Sequence, residues 1–269
     1  MQPMGQIRVG GLSVAYELVG TGAPLVLLHG GLSDHREWRR QIDALSDTYT
    51  VVAWDAPGCG RSDDPPATYR MPDYAACLAD VIDGLGLGRP HVLGLSWGST
   101  LALALYQLRP ELPRTLILTA AYAGWAGSLT PEEVTDRLQT SLRDLEAAGE
   151  PEDFVRTWLP SLFTSNADPT VVEEYVDVMS DFHPGGVRQM LHAIAEADLR
   201  PVLPTIRVPA LLLYGAEDAR SSQEVAETMY RDIPGSELVF LPGVGHMSNL
   251  EAPDRFTAVV RGFLERNAD

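Results

Sequence analysis

The chain of 269 residues contains no lysine; all twenty basic residues are arginine. That absence excludes a lysine Schiff base and a phosphate-loop lysine. Only two cysteines occur, Cys59 and Cys77, and their spacing is not C-x-x-C. A disulfide framework is therefore not expected, and a reducing, cytoplasmic setting is the plain expectation. No long uncharged apolar run is present, so no membrane-spanning helix is expected. The stretch Met1-Gln2-Pro3-Met4-Gly5-Gln6 lacks a basic segment followed by an apolar one, so no secretory signal is expected. Positive charge is scarce overall: the formal net charge is −17. A chain so acidic, with no basic stripe, is not expected to bind nucleic acid.

What is present is apolar and regularly punctuated. Hydrophobic residues make up 45% of the chain, enough for a sizeable core. Short apolar runs bounded by Gly and Pro predict strands over residues 14–19, 24–28, 49–54, 89–95, 114–119, 209–214 and 237–241, with a further edge strand at 7–9. Gly20-Thr21-Gly22 reads as a hairpin-like turn between the strands at 14–19 and 24–28. Helical patterns fall at 34–45, 73–85, 97–108, 223–231 and 253–264. Strand and helix in alternation predict a parallel sheet covered by helices on both faces, mixed at the early edge. Residues 124–201 break the alternation. They read as helical throughout, are punctuated by proline, and carry many more acids than arginines. A helical insertion in the position of a lid is expected there.

One short segment carries chemistry. Gly94-Leu95-Ser96-Trp97-Gly98 is a G-x-S-x-G motif, preceded by a strand pattern and followed by a helix pattern. A turn that tight strains the serine backbone and brings the flanking residues together, which is why both are glycine. It would hold the Ser96 hydroxyl at the carboxyl edge of the sheet and the amino end of a helix, where negative charge is favoured.

A serine hydroxyl needs a base. Of His29, His35, His91, His183, His192 and His246, only His246 lies in a loop just after the last strand, at the same sheet edge. An acid must orient it. Asp218, after the penultimate strand, is the first choice, with its neighbour Glu217 as the alternative. Backbone donors for an oxyanion are expected from Trp97, directly after the serine, and from the loop His29-Gly30-Gly31-Leu32. Gly31 is the favoured second donor and Leu32 the alternative. Leu32, Trp125, Trp158, Phe163 and Phe182 are candidates to line an apolar substrate pocket. No metal-ligand pattern is evident, and the expected chemistry requires no cofactor and a small-molecule substrate.

With these residues in place, the chain resembles the α/β-hydrolase family over nearly its full length. The matching residues are His29-Gly30-Gly31, Asp55-Ala56-Pro57-Gly58-Cys59-Gly60-Arg61-Ser62, the Ser96 segment, Asp218 and Gly245-His246. The resemblance implies an α/β fold with an eight-stranded, mostly parallel sheet. It also implies a core of residues 1–123 and 202–269 under a helical cap of residues 124–201. Members with an aspartate nucleophile are disfavoured by Ser96. The body of the chain looks like small bacterial carboxylesterases and enol-lactone hydrolases. Ser96-Trp97-Gly98-Ser99-Thr100-Leu101-Ala102-Leu103 also looks like proline iminopeptidases, which differ at Leu32-Ser33-Asp34, where they carry Pro and further Gly. The implied activity is ester or lactone hydrolysis, with an aminopeptidase or a slow-turnover ligand receptor on the same fold as alternatives.

Overall fold

The structure, a computed structural model, describes residues 4–268. Residues 1–3, part of the N-terminal stretch considered for a signal, lie outside the described residues. Eight strands form one sheet in the order β1-β2-β4-β3-β5-β6-β7-β8. They are β1 (Gly5–Val9), β2 (Leu12–Val19), β3 (Ala23–Leu28), β4 (Tyr49–Trp54), β5 (His91–Leu95), β6 (Thr115–Thr119), β7 (Ala210–Gly215) and β8 (Glu237–Leu241). From β4 to β8 every neighbouring pair is parallel, while β2 runs antiparallel to both β1 and β4. Every residue of β5, β6 and β7 is buried, as the continuous apolar runs require of strands covered on both faces.

The expected hairpin between residues 14–19 and 24–28 does not form. β2 pairs instead with β1, across Gly10-Gly11, and with β4. Gly20 and Gly22 both have positive φ, but they serve a close approach. A Cβ on Gly20 would lie 2.3 Å from the Tyr49 carbonyl oxygen, and one on Gly22 2.1 Å from that of Thr48. The chain slides over the lead-in to β4 at this point, where a side chain has no room.

Helices cover the sheet. α1 (Arg39–Leu45) follows a short 3-10 turn, His35–Trp38, where a single helix over 34–45 was expected. α2 (Met71–Gly84) and α3 (Trp97–Leu108) pack together beside β5. The segment between β6 and β7 contains α4 (Pro131–Ala147), α5 (Pro151–Leu162), α6 (Pro169–Met179) and α7 (Pro184–Glu196). Each of these four starts on a proline, whose fixed φ and missing N–H suit the first turn. Thr130 and Glu133 cap α4 reciprocally, and Asp168 accepts the Thr170 N–H at the start of α6. Pro160, expected as punctuation, lies inside α5. α8 (Gln223–Asp232), the short α9 (Ser248–Glu251) and α10 (Pro253–Arg266) complete the fold. No helix among the described residues is long and apolar enough to cross a membrane.

Candidate active site

The chain turns from β5 into α3 at Ser96, which adopts φ 53° and ψ −112°. A β-carbon-bearing residue is strained there, and the surrounding contacts enforce the turn. A Cβ on Gly94 would lie 2.4 Å from the Gly98 carbonyl carbon, and one on Gly98 2.2 Å from the Leu28 oxygen. The Ser96 N–H donates to the Thr119 carbonyl at 2.8 Å, and Ser99 Oγ donates to the Gly94 carbonyl at 2.6 Å. The Ser96 side chain makes no capping bond to its own helix, which separates it from an ordinary N-cap serine.

His246 follows β8 and is 2% exposed. Its Nδ1–H donates to Asp218, with the two carboxylate oxygens at 3.0 and 2.9 Å. Asp218 Oδ1 also accepts the backbone N–H groups of Arg220 and Ser221, at 2.7 and 2.9 Å. Glu217, the alternative acid, is exposed. With Nδ1 carrying the proton, Nε2 is left as a base. The histidine loop is tied to the insertion: Glu251 accepts the Gly245 N–H at 3.0 Å and the Thr164 hydroxyl at 2.6 Å, and Met247 N–H donates to the Leu162 carbonyl at 3.1 Å.

The loop after β3 is fixed from behind. His29 Nδ1–H donates to the Gly30 carbonyl at 2.7 Å, and Nε2 accepts the Ala56 N–H at 3.1 Å. Burial lowers the His29 pKa, which suits this neutral, doubly engaged ring. His29 therefore orders the loop and has no free nitrogen to serve as base. Glu37 accepts the Gly30 N–H through both oxygens at 3.2 Å. Leu32 has φ 66°, so the backbone direction reverses just after Gly31. The Trp97 N–H, first in α3, has no intrahelical partner by construction.

Ser96, His246, Gly31, Leu32 and Trp97 line one cavity between the sheet edge and the insertion. Trp125 and Trp158 line it too, as do Tyr122, Tyr175 and Met190. Phe163 and Phe182, the other two expected wall residues, do not. Phe163 packs against Tyr175 with ring centroids 5.6 Å apart, and Phe182 against Phe154 at 5.5 Å. Both fill the insertion's own packing: Phe163 follows the end of α5 and Phe182 precedes α7, and aromatic identity carries no signal for which way a residue beside a helix end points. Among the described residues lining the cavity none is a carboxylate, and the one guanidinium is that of Arg220. Neither Arg220 nor Glu37 was singled out from sequence. Arg220 stands two residues after Asp218, and that proximity was the available signal.

One group of metal-type ligands exists among the described residues: Asp34, His35 and Asp55. Their atoms are already engaged. His35 Nδ1–H donates to Asp55 at 2.7 Å, Asp55 accepts the Arg61 N–H at 2.9 Å, and Asp34 pairs with Arg36 at 2.7 Å. The cluster joins the loops after β3 and β4 and does not line the Ser96 cavity.

Residues 25–259 match the model of the alpha/beta hydrolase family. The chain belongs to that family, a class of hydrolases built on this sheet. It is similar to the proline iminopeptidase of Lactobacillus helveticus, 27% identical with 98% of each chain covered. A thermophilic esterase from Thermogutta terrifontis, solved with malate bound, is 29% identical with a TM-score of 0.89, covering 98% of this chain and 99% of that one. The enol-lactonase of Burkholderia xenovorans LB400 is 26% identical with a TM-score of 0.89, covering 97% and 100%.

Proposed function

We propose that the protein hydrolyses a small carboxylic ester or lactone through an acyl-enzyme on Ser96. The observation that carries this reading is the joint lining of one largely apolar cavity by Ser96 and by His246, itself paired with Asp218. His246 Nε2 takes the Ser96 proton as Oγ attacks the carbonyl carbon, and the oxyanion is held by the N–H groups of Trp97 and of Gly31 or Leu32. His246 then gives its proton to the departing alkoxide, leaving the acyl group on Ser96. Water, deprotonated by the same imidazole, attacks the acyl carbon and releases the acid and the serine. In a lactone the leaving oxygen stays attached to the product.

The cavity also bears on the aminopeptidase alternative. Recognition of a substrate ammonium needs a carboxylate close to the nucleophile, and none lines this cavity among the described residues. The acids of the insertion make surface pairs, such as Glu152 and Glu173 with Arg156. The test is a substrate panel: neutral short-chain esters and lactones against prolyl and other aminoacyl arylamides with a free amine. Esters or lactones are expected to be turned over faster, and Ser96→Ala is expected to remove the activity by on the order of a millionfold. Free-amine arylamides as the best substrates, with turnover abolished by N-acylation, would establish the aminopeptidase instead. Single turnover with ligand-dependent protein association would establish a receptor.

A further inference from the structure

Arg220 gives its backbone N–H to Asp218 and turns its side chain the other way, toward the insertion. There the guanidinium lies over the Trp158 ring, 4.5 Å from its centroid, and Nη1 donates to Ser161 Oγ at 2.8 Å. No carboxylate of the described residues lies within ion-pair distance of it. Asp218, the acid whose field reaches it, is already paired with His246. Among the described residues other arginines also lack an ion pair, Arg137 and Arg143 of the insertion among them, but of these Arg220 is the one that lines the Ser96 cavity. The insertion's Arg156 and Arg188 have found acids at 2.8 and 3.1 Å on the surface. Burial pulls the Arg220 pKa down, yet a guanidinium remains protonated at neutral pH.

Arg220 is half-buried, and a cation partly withdrawn from water without a counter-ion is unfavourable unless something else supplies the anion. Arg220 lines the cavity that holds Ser96. Its other neighbours there offer no negative charge: Trp158 gives a π face, Ser161 a hydroxyl, and Tyr122 and Tyr175 phenols. Arg137, stacked on the wall residue Trp125 at 5.2 Å, adds positive potential from α4. A planar fork of N–H donors, one of them used by Ser161, is the group that matches a carboxylate in geometry as well as charge.

We infer that Arg220 receives a carboxylate of the substrate, so that the preferred ester or lactone of this site carries a second, free acid group. The inference rests on the hydrolase reading for the reacting carbonyl at Ser96. The binding of the acid to Arg220 is separable from it. Trp158 and Ser161 hold the fork in place, and the ester carbonyl is thereby presented to Ser96 at a distance set by the length of the acid.

The experiment compares monoethyl glutarate with diethyl glutarate on the full-length protein, following acid release by titration, with glutarate itself as inhibitor. The wild type is expected to favour the monoester in kcat/KM. Arg220→Met is expected to lower the monoester-to-diester ratio by at least about 30-fold, the effect of removing one partner of a buried charge pair. Arg220→Lys, which keeps the charge and loses the fork, is expected to retain part of the ratio. The glutarate inhibition constant should rise in parallel. A latch between loop and insertion would change both esters alike and leave the ratio unmoved, and that result overturns the inference. So does a wild type that prefers the diester, which decides the matter even if Arg220→Met fails to fold. If neither ester is cleaved, the hydrolase reading falls, and calorimetry with glutarate decides separately. Binding that is lost in Arg220→Met and only weakened in Arg220→Lys supports the acid site, and no binding to the wild type, or unchanged binding to Arg220→Met, overturns it.

Discussion

Tyr175, on α6 of the insertion, donates its hydroxyl to Glu37 Oε2 at 3.3 Å behind the loop that carries Gly31. The same carboxylate holds the Gly30 N–H. Glu37 thus joins the insertion to the loop that carries Gly31, the proposed oxyanion donor, and it does so 2% exposed.

Burial pushes the Glu37 pKa up to about 8, against the pull of the Gly30 N–H, Ser33 and Tyr175, with the nearby charge of Asp34 adding to the rise. The native state therefore keeps a proton that the unfolded chain releases near the ordinary value of 4.5. The stability this proton contributes is complete below that ordinary value and is lost as pH rises through about 8. Glu37→Gln keeps an acceptor for Gly30 and cannot ionise. The Tm of the variant minus that of the wild type should accordingly become more positive between pH 5 and pH 8. Thermal melts across that range check it; a difference that stays flat shows that Glu37 does not titrate there.

The acid that orients His246 can be assigned by two substitutions. Asp218 meets the imidazole and is buried, whereas Glu217 next to it is exposed. Asp218→Asn should reduce ester turnover on the order of ten-thousandfold, because the amide no longer favours the required tautomer. Glu217→Gln should change it little. Steady-state assays of the two folded variants decide, and a reversed ranking would move the acid to Glu217.

The parallel part of the sheet and the strained serine were readable because both are local. β5, the turn at Ser96 and α3 form one contiguous stretch, and the apolar runs of β3 to β7 carry their own boundaries. The placement of Ser96, Asp218 and His246 after β5, β7 and β8 was equally readable. What failed was non-local. The pairing of β2 depends on what lies across from it, so Gly20 and Gly22 were read as a hairpin when they make room for Thr48 and Tyr49. Phe163 and Phe182 are candidates for the cavity wall by type alone, and in the fold they pack on Tyr175 and Phe154 beside the helix ends. Glu37 and Arg220 gave little signal because a buried acid and an arginine without a counter-ion look like surface residues in a sequence.

Two glycines at the site should respond to alanine in opposite ways. At Gly98 a methyl would lie 2.2 Å from the Leu28 oxygen and 2.7 Å from the His29 oxygen, both backbone atoms that cannot swing aside. Gly98→Ala must push the start of α3 away from the end of β3. That separates the Trp97 N–H from the loop carrying Gly31 and Leu32. A loss of roughly 1–3 kcal/mol in stability is expected from overpacking, together with a fall in kcat that persists when the protein is assayed well below its melting temperature. At Gly31 the nearest atoms to a methyl are Met190 Sδ at 3.6 Å and Trp97 Cβ at 3.9 Å, ordinary contacts on the cavity wall. Gly31 does not have positive φ, so alanine adopts its backbone without strain. Gly31→Ala should therefore melt close to the wild type while narrowing the cavity beside Met190. Its activity should fall more for branched or bulky acyl groups than for acetyl. Melting curves and a short series of acyl esters check both variants together. A Gly98→Ala protein with native stability and activity would show that the close approach of α3 to β3 is dispensable. A Gly31→Ala protein that loses acetyl and bulky substrates equally would show that the methyl disturbs the loop's N–H groups and leaves pocket size unimportant.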